Sequence, residues 1–218
     1  MKDIYSQAVL RANLAPILAT HSYLLYFVAM ASNPKDLMTV DEYLAFDRSS
    51  PVRNEYFDGE VFAMTGASRR HNLISVALSR EISQQLDDRD CEVYVSEMRV
   101  KVAETGLYTY PDIVVCDDPI FIDNEFDTLV NPTLIVEVLS KSTEGYDRGA
   151  KFEFYRALGS LNQVLLIAQD KVHVESYVRQ PDHTWLLSET NDLDSSISLP
   201  SISCNVAVAN IYRKVRFE

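Results

Sequence analysis

Glycine, proline, cysteine and basic side chains are all scarce in this chain. Its 218 residues include only 6 glycines and 8 prolines, which excludes collagen-like and low-complexity architectures. Hydrophobic residues make up 47% of the chain and charged residues 24%, which excludes disorder or a coiled coil as the structure of the whole chain. A chain of this length corresponds to one ordinary domain, with or without a short appendage.

The cysteines are too few and too far apart to form a framework. Cys91, Cys116 and Cys204 are odd in number, and their spacing predicts neither a zinc site nor a set of disulfides. Free thiols are typical of a reducing compartment, so we expect a cytoplasmic protein.

Positively charged residues are few compared with negatively charged ones. The chain has 20 Lys and Arg against 32 Asp and Glu, for a net charge of −12. The electrostatic field of a protein with this negative charge repels nucleic acid, because affinity for phosphate comes largely from Lys and Arg. A nucleic-acid-binding function therefore requires a local basic patch. The best candidates are Arg69, Arg70 and Arg80, joined by Arg148 and Lys151 if these face the same cleft.

The apolar segment near the N-terminus does not match the pattern of a membrane-spanning helix. The apolar stretch 16–31 is interrupted by polar residues and is shorter than the roughly 20 residues that a span needs. Three interpretations of residues 1–37 stay open: an extension upstream of the true start, a peripheral helix, and a signal peptide with the small-residue motif Ala29-Met30-Ala31. We expect the folded domain to occupy residues 38–212, without association with a membrane.

Hydrophobic periodicity predicts alternating helices and strands. A capping box from Thr39 to Glu42 starts a short helix, and Asp58-Gly59 marks a turn that leads into a strand. The remaining predicted elements are a helix over 68–86, one half-buried strand over 91–102, strands over 109–116 and 133–140 around an acidic loop, a helix over 145–158, strands over 162–169, 171–179 and 185–188, and a helix over 205–212. This order predicts an α/β or α+β domain with a mixed central sheet flanked by helices.

Two acidic residues lie within apolar strands. Asp112 occurs in YTYPDIVVC and Glu137 in LIVEVLS, where both faces of the strand are apolar and therefore buried. A buried carboxylate is costly unless a cation or hydrogen-bond donors compensate it, and carboxylate oxygens suit Mg²⁺ or Mn²⁺. The alternative is a carboxylate at a strand end that faces solvent or backbone N–H groups.

The helix after Glu137 adds a cation at helical spacing. Asp147, Lys151 and Tyr155 recur every four residues and so fall along one stripe. The stripe predicts either a surface ion pair or a lysine that reaches the end of the strand. Another candidate, His71, begins the long helix and is suited either to capping, packing or a phosphate contact, or to service as a base.

Together these motifs resemble a nuclease family. Pro111-Asp112 and, 25 positions later, Glu137 in an apolar strand are similar to the PD-(D/E)XK nuclease superfamily. The segments RNEYFDGEVFAMTGAS, YPDIVV, LIVEVLSKST and KFEFY resemble, in this order, the bacterial family of putative restriction endonucleases, over residues 38–212. The resemblance implies a restriction-endonuclease-like fold and Mg²⁺-dependent cleavage of phosphodiester bonds. We expect a nucleic-acid substrate, with DNA favoured over RNA and both open at the level of sequence. Cutting both strands of a duplex would favour a homodimer.

The resemblance also implies roles for individual residues. Asp112 and Glu137 match the two metal-binding acids, and Glu55 matches an acid that completes a second metal site or holds a metal-bound water. The usual lysine position is occupied by Leu139, and Lys151 matches a lysine that has migrated to the next helix. Arg69, Arg70, His71 and Arg148 are the predicted nucleic-acid contacts.

Two further functions remain open at the level of sequence. Leu139 and the net charge of −12 favour a catalytically inactive nuclease fold that binds a protein partner. A metal-free hydrolase would need two acids across a sugar-sized cleft, and no aromatic sugar platform is evident. Glu97 and Arg99 are predicted to lie on an exposed face of a strand, with a supporting role around the site as the alternative.

Overall fold

A computed structural model describes residues 37–122, 125 and 127–217 of the protein. Residues 1–36 lie outside this part of the chain, so the three interpretations of the N-terminal segment remain predictions. Within the described ranges, the strands form a six-stranded sheet, a five-stranded sheet and a two-stranded hairpin. None of the helices in these ranges is long and apolar enough to cross a membrane.

The described strands and helices follow the predicted alternation. The strands are β1 (Asn54–Phe57), β2 (Glu60–Ala63), β3 (Cys91–Val95), β4 (Arg99–Val102), β5 (Leu107–Thr109), β6 (Ile113–Asp117), β7 (Thr128–Leu129), β8 (Leu134–Leu139), β9 (Gln163–Ala168), β10 (Val174–Arg179), β11 (Trp185–Thr190), β12 (Ser196–Leu199) and β13 (Cys204–Ala207). The helices are α1 (Val40–Ser49), α2 (Arg69–Leu86), α3 (Glu144–Tyr146), α4 (Phe152–Arg156) and α5 (Val208–Tyr212). A π-helical turn (Asp147–Lys151) joins α3 to α4.

The six-stranded sheet is the centre of the fold. The strand order of this sheet is β11-β10-β9-β8-β6-β3. Strands β8 and β9 are parallel, and the other neighbouring pairs of strands in this sheet are antiparallel. Every residue of β8 and of β9 is buried. This confirms that the apolar runs predicted two-sided burial, as expected for strands covered on both faces.

Opposite faces of this sheet pack against different helices. On one face Val136 belongs to a core with Ile74 and Leu78 of α2 and with residues of α5. On the other face Ile135 belongs to a core with Tyr155 of α4. Adjacent residues of a strand point to opposite faces, so β8 lies between two layers of helix. The mixed sheet flanked by helices is therefore confirmed.

The five-stranded sheet has the order β2-β1-β5-β4-β7. A two-residue turn at Asp58 and Gly59 joins β1 to β2, and φ is 49° and 88° at these two residues. Asp-Gly tolerates such left-handed backbone, so the turn follows directly from the sequence. The hairpin positions β1 beside β5, with Tyr56 opposite Tyr108.

The prediction of a single strand over residues 91–102 is wrong. The structure has two strands there, β3 in the six-stranded sheet and β4 in the five-stranded sheet. Ser96 has a φ of 45° between them, and its N–H donates to the Asp112 carbonyl oxygen at 3.0 Å. Alternating apolar residues continue across this bend, so the pattern alone does not reveal it.

The prediction that Arg99 lies on an exposed face is also wrong. Its side chain is 2% exposed, and its Nη2 pairs with Asp47 at 2.7 Å. Its Nε donates to the Tyr110 hydroxyl oxygen at 2.9 Å. Glu97 does lie at the surface, 70% exposed and paired with Arg53. The sequence pattern placed both residues on one strand face, but Glu97 lies in the bend that follows β3, whereas Arg99 is the first residue of β4.

The C-terminal helix is shorter than predicted. The segment 204–207 is β13, which pairs with β12 as an antiparallel hairpin, and α5 begins only at Val208. The sequence before α5 did not indicate a hairpin, because serine alternates with apolar residues in β12 over only four positions. A two-stranded hairpin therefore covers one edge of the core where a helix was expected.

Candidate active site

Asp112 lies immediately before β6, in the segment that links β5 of the five-stranded sheet to β6 of the six-stranded sheet. Pro111 precedes it and ends the segment that follows β5. Its Oδ2 accepts a hydrogen bond from the backbone N–H of Val138 at 2.7 Å. This bond ties the carboxylate to the neighbouring strand β8, and the side chain is 13% exposed.

Glu137 is the buried acid of β8. Its Oε1 accepts from the Tyr155 hydroxyl at 2.5 Å and lies 3.0 Å from Lys151 Nζ. Both of these contacts are made at Oε1. Burial raises the pKa of Glu137 to about 8; Lys151 opposes the rise, and Asp147 and Asp112 add to it.

Lys151 extends into the acid cluster from the π-helical turn. Its Nζ lies 3.1 Å from Glu55 Oε1 and 3.8 Å from Asp147 Oδ1. Burial acts to lower the pKa of Lys151, but Glu137, Glu55 and Asp147 outweigh it and hold this pKa well above its usual value. The lysine is therefore a fixed cation among carboxylates.

The sequence stripe of Asp147, Lys151 and Tyr155 faces the site. Each is buried. Burial raises the pKa of Asp147 to about 6, against the effect of Lys151. The stripe was recognised by its spacing, but the tyrosine's contact with Glu137 was missed because no sequence pattern pairs residues 18 positions apart.

Glu55 enters the cluster from the other sheet. It lies on β1, and its Oε1 accepts a hydrogen bond from the Thr109 hydroxyl as well as the ion pair from Lys151. The lysine thus joins an acid of the five-stranded sheet to an acid of the six-stranded sheet. Thr109 was also missed, since a threonine in an apolar stretch carries no signal of its own.

The predicted basic contacts fall in different environments. Arg69 is exposed and Arg70 half-buried on the first turn of α2, where His71 Nε2 lies 3.1 Å from the Asp112 carboxylate. Arg148 is paired with Glu144 at 3.4 Å and with the buried Glu175. Arg80 pairs with its neighbour Glu81. The structure therefore brings His71 to the acids, and two of the predicted arginines already have carboxylate partners.

The site residues fit a divalent cation of the magnesium type. Among the described residues no group of three or more His, Cys, Asp or Glu side chains is arranged to hold a metal. Magnesium, however, is commonly bound by only one or two carboxylates, with waters and substrate phosphates as the other ligands. The mutual repulsion of Asp112 and Glu137 is a feature that a cation would relieve.

Comparisons with known proteins identify one family of proteins to which this chain is similar. A model of the family described as "Putative restriction endonuclease", Uma2, matches residues 40–209. The uncharacterized protein slr1290 of Synechocystis sp. is 38% identical over 187 residues, which cover 85% of this chain and 97% of that protein. The uncharacterized protein sll1609 of the same organism is 40% identical over 154 residues, 70% of this chain and 87% of that protein.

One solved structure has a similar fold. The crystal structure of a putative nuclease belonging to DUF820 from Anabaena variabilis superimposes with a TM-score of 0.69. The match covers 82% of this chain and 99% of that chain at 18% sequence identity. At this identity the likeness concerns the fold, and the fold is the one that the sequence predicted.

Proposed function

Because this chain belongs to the Uma2 family of putative restriction endonucleases, we propose that it is a metal-dependent endonuclease that hydrolyses phosphodiester bonds of nucleic acid. One observation carries the proposal. Asp112 is tied to β8 beside Glu137, and Lys151 Nζ lies 3.0 Å from that glutamate. Two acids on neighbouring strands, with a buried lysine from the π-helical turn beside them, suit metal-dependent hydrolysis of a phosphodiester.

Asp112 and Glu137 would hold Mg²⁺ or Mn²⁺. Asp112 keeps a fixed orientation through the Val138 N–H, and Glu137 through Tyr155. When bound, the ion polarises a phosphate oxygen and lowers the pKa of a coordinated water. The protein's part is to hold both carboxylates ready, so that little reorganisation is needed when the substrate arrives.

Lys151 supplies a permanent positive charge. Glu55, Glu137 and Asp147 hold its ammonium in place, and its raised pKa keeps it protonated. A fixed cation stabilises negative charge that develops on phosphate oxygens in the transition state. This supports the proposal that Lys151 replaces the lysine missing at Leu139, which is buried in the apolar core.

The substrate class rests on a small basic surface. Arg69 and Arg70 lie on the same first turn of α2 as His71, which contacts Asp112. Phosphates bound beside the acids would therefore meet these arginines, in spite of the net charge of −12. We propose DNA as the substrate of a cytoplasmic enzyme, and a homodimer if both strands are cut.

Nicking of supercoiled plasmid DNA tests the proposal. The full chain is incubated with plasmid, single-stranded DNA or RNA in Mg²⁺ or Mn²⁺, and in EDTA. We expect metal-dependent cleavage that falls more than 100-fold in Asp112→Asn and Glu137→Gln. Asp117→Asn is the matched control, because Asp117 ends the same strand, β6, at the surface and away from the acids. Cleavage that persists in Asp112→Asn would contradict the proposal.

The second candidate is an inactive nuclease fold that binds a protein partner. Leu139 at the usual lysine position and the full engagement of Lys151 in ion pairs favour it. It predicts no cleavage of any of the three substrates and no binding of Mn²⁺ by calorimetry. Binding of Mn²⁺ that Asp112→Asn abolishes would instead favour the enzyme.

A further inference from the structure

The side chain of His71 contacts the carboxylate of Asp112. Its Nε2 lies 3.1 Å from both Oδ1 and Oδ2. The start of α2 fixes its backbone, because the Ser68 hydroxyl oxygen accepts from the His71 N–H at 3.1 Å. With the Val138 N–H on Oδ2, Asp112 is held from two sides, by a helix and by a neighbouring strand.

The other ring nitrogen determines which tautomer fits. Nδ1 of His71 is buried and has no hydrogen-bond partner among the described residues. A proton on Nδ1 would be a buried donor without an acceptor, whereas a bare lone pair costs less. A proton on Nε2, by contrast, points at two carboxylate oxygens. Of the two tautomers, the one with its proton on Nε2 is therefore the one that these surroundings favour.

This form separates two roles that the sequence left open. A general base needs a lone pair directed at the attacking water. In His71 the nitrogen that faces the site carries the proton and is occupied by Asp112, and the nitrogen with the lone pair is buried. The geometry thus opposes a base and leaves a role that acts through the carboxylate.

We propose that His71 is a positioning residue that orients Asp112 for cation binding, an inference that rests on the proposed nuclease function. Hydrogen-bond donors behind a metal-binding carboxylate fix its rotamer, and removing such a partner typically costs about 10–100-fold in metal affinity or activity. A purely structural role would instead change stability and leave metal affinity unaltered.

Three variants of the full chain test this. His71→Ala removes the donor, and His71→Gln keeps an N–H at nearly the same reach from the backbone. Asn72→Ala, at an exposed neighbour on the same helical turn, is the matched control. For each, plasmid cleavage is measured against Mn²⁺ concentration. We expect the half-saturating Mn²⁺ concentration to rise about 10–100-fold in His71→Ala, to recover largely in His71→Gln and to stay unchanged in Asn72→Ala.

A second measurement needs neither metal nor activity. Nitrogen-15 NMR of the histidine rings, with His71 assigned from the spectrum of His71→Gln, should show a proton on Nε2. The Nε2–H signal should shift in Asp112→Asn. An Nε2 without a proton, or no response to Asp112→Asn, would overturn the inference.

The cleavage and NMR measurements distinguish a failure of this inference from a failure of the proposed nuclease function. If Asp112→Asn cleaves as well as the unaltered chain, the nuclease proposal fails, while the NMR result still decides whether His71 is bonded to Asp112. If His71→Ala slows cleavage at saturating Mn²⁺ with no change in the half-saturating concentration, His71 acts in the chemical step and the positioning role is refuted.

Discussion

Replacing Lys151 with methionine should destabilise the protein strongly. Methionine keeps the length and apolar stem of lysine but removes the ammonium that lies 3.0 Å from Glu137 and 3.1 Å from Glu55. The lysine and Glu137 side chains are each 6% exposed. The variant therefore leaves two carboxylates without a cation in surroundings that water hardly reaches.

The size of the loss follows from the cost of an uncompensated buried charge. Removing one partner of a buried ion pair typically costs about 3–5 kcal/mol of unfolding free energy. Glu137 limits the loss, because its pKa is already raised to about 8 and the carboxylate can take up a proton instead. We therefore expect about 3 kcal/mol at pH 7, the lower end of that range, and a decrease of about 10 °C in Tm for a domain of this size.

Urea unfolding followed by circular dichroism measures the change, with the exposed Lys171→Met as the matched control. A second substitution sharpens the test. Glu55→Gln should destabilise the unaltered chain, where it removes an ion pair, and should stabilise Lys151→Met, where it removes an unpaired charge. A loss below about 1 kcal/mol in Lys151→Met, or the same sign of effect for Glu55→Gln in both backgrounds, would refute the reasoning.

Three further predictions concern contacts in and beside the site. Arg99→Met should cost about 3–5 kcal/mol of unfolding free energy, because it leaves Asp47 buried without a cation, and a loss below 1 kcal/mol in urea unfolding would contradict this. Tyr155→Phe should cost about 1.5–3 kcal/mol and raise the pKa of Glu137 further, since the hydroxyl bond favours the ionised form; an unchanged urea midpoint would argue against that bond. Hydrogen bonding from Arg48 lowers the pKa of Asp127 to about 2, so its stabilisation is complete above about pH 5 and is lost as the pH falls toward 2. The stability advantage over Asp127→Asn in urea should therefore shrink between pH 5 and pH 3, and a constant difference would disprove it.

Local patterns predicted the elements that depend on neighbouring residues. The capping box at Thr39 and Glu42 is formed, and α2 begins after Ser68 and ends at Leu86 as its apolar spacing indicates. The Asp58-Gly59 turn is formed for the same reason, because two adjacent residues determine its backbone conformation. In each case the interactions that stabilise the element lie within a few positions of one another.

The failures involve contacts between distant residues. When charged residues alternate with apolar ones, the sequence does not show whether the charged face of the strand is buried or exposed to solvent. Arg99 is buried because it pairs with Asp47, which lies 52 positions away. The bend at Ser96 depends likewise on the Asp112 carbonyl oxygen, which accepts its N–H. Neither partner could be identified before the two sheets were in place.

The sequence alone determined which side chains have to be compensated. Asp112 stands directly before the apolar strand β6 and Glu137 within the apolar strand β8, and burying their charge is costly. Only the tertiary structure decided how each is compensated: the Val138 N–H and His71 for Asp112, and Tyr155 and Lys151 for Glu137. The cost of burial is a property of a single residue and its strand. Its compensation needs donors from helices and strands that meet only when the chain has packed.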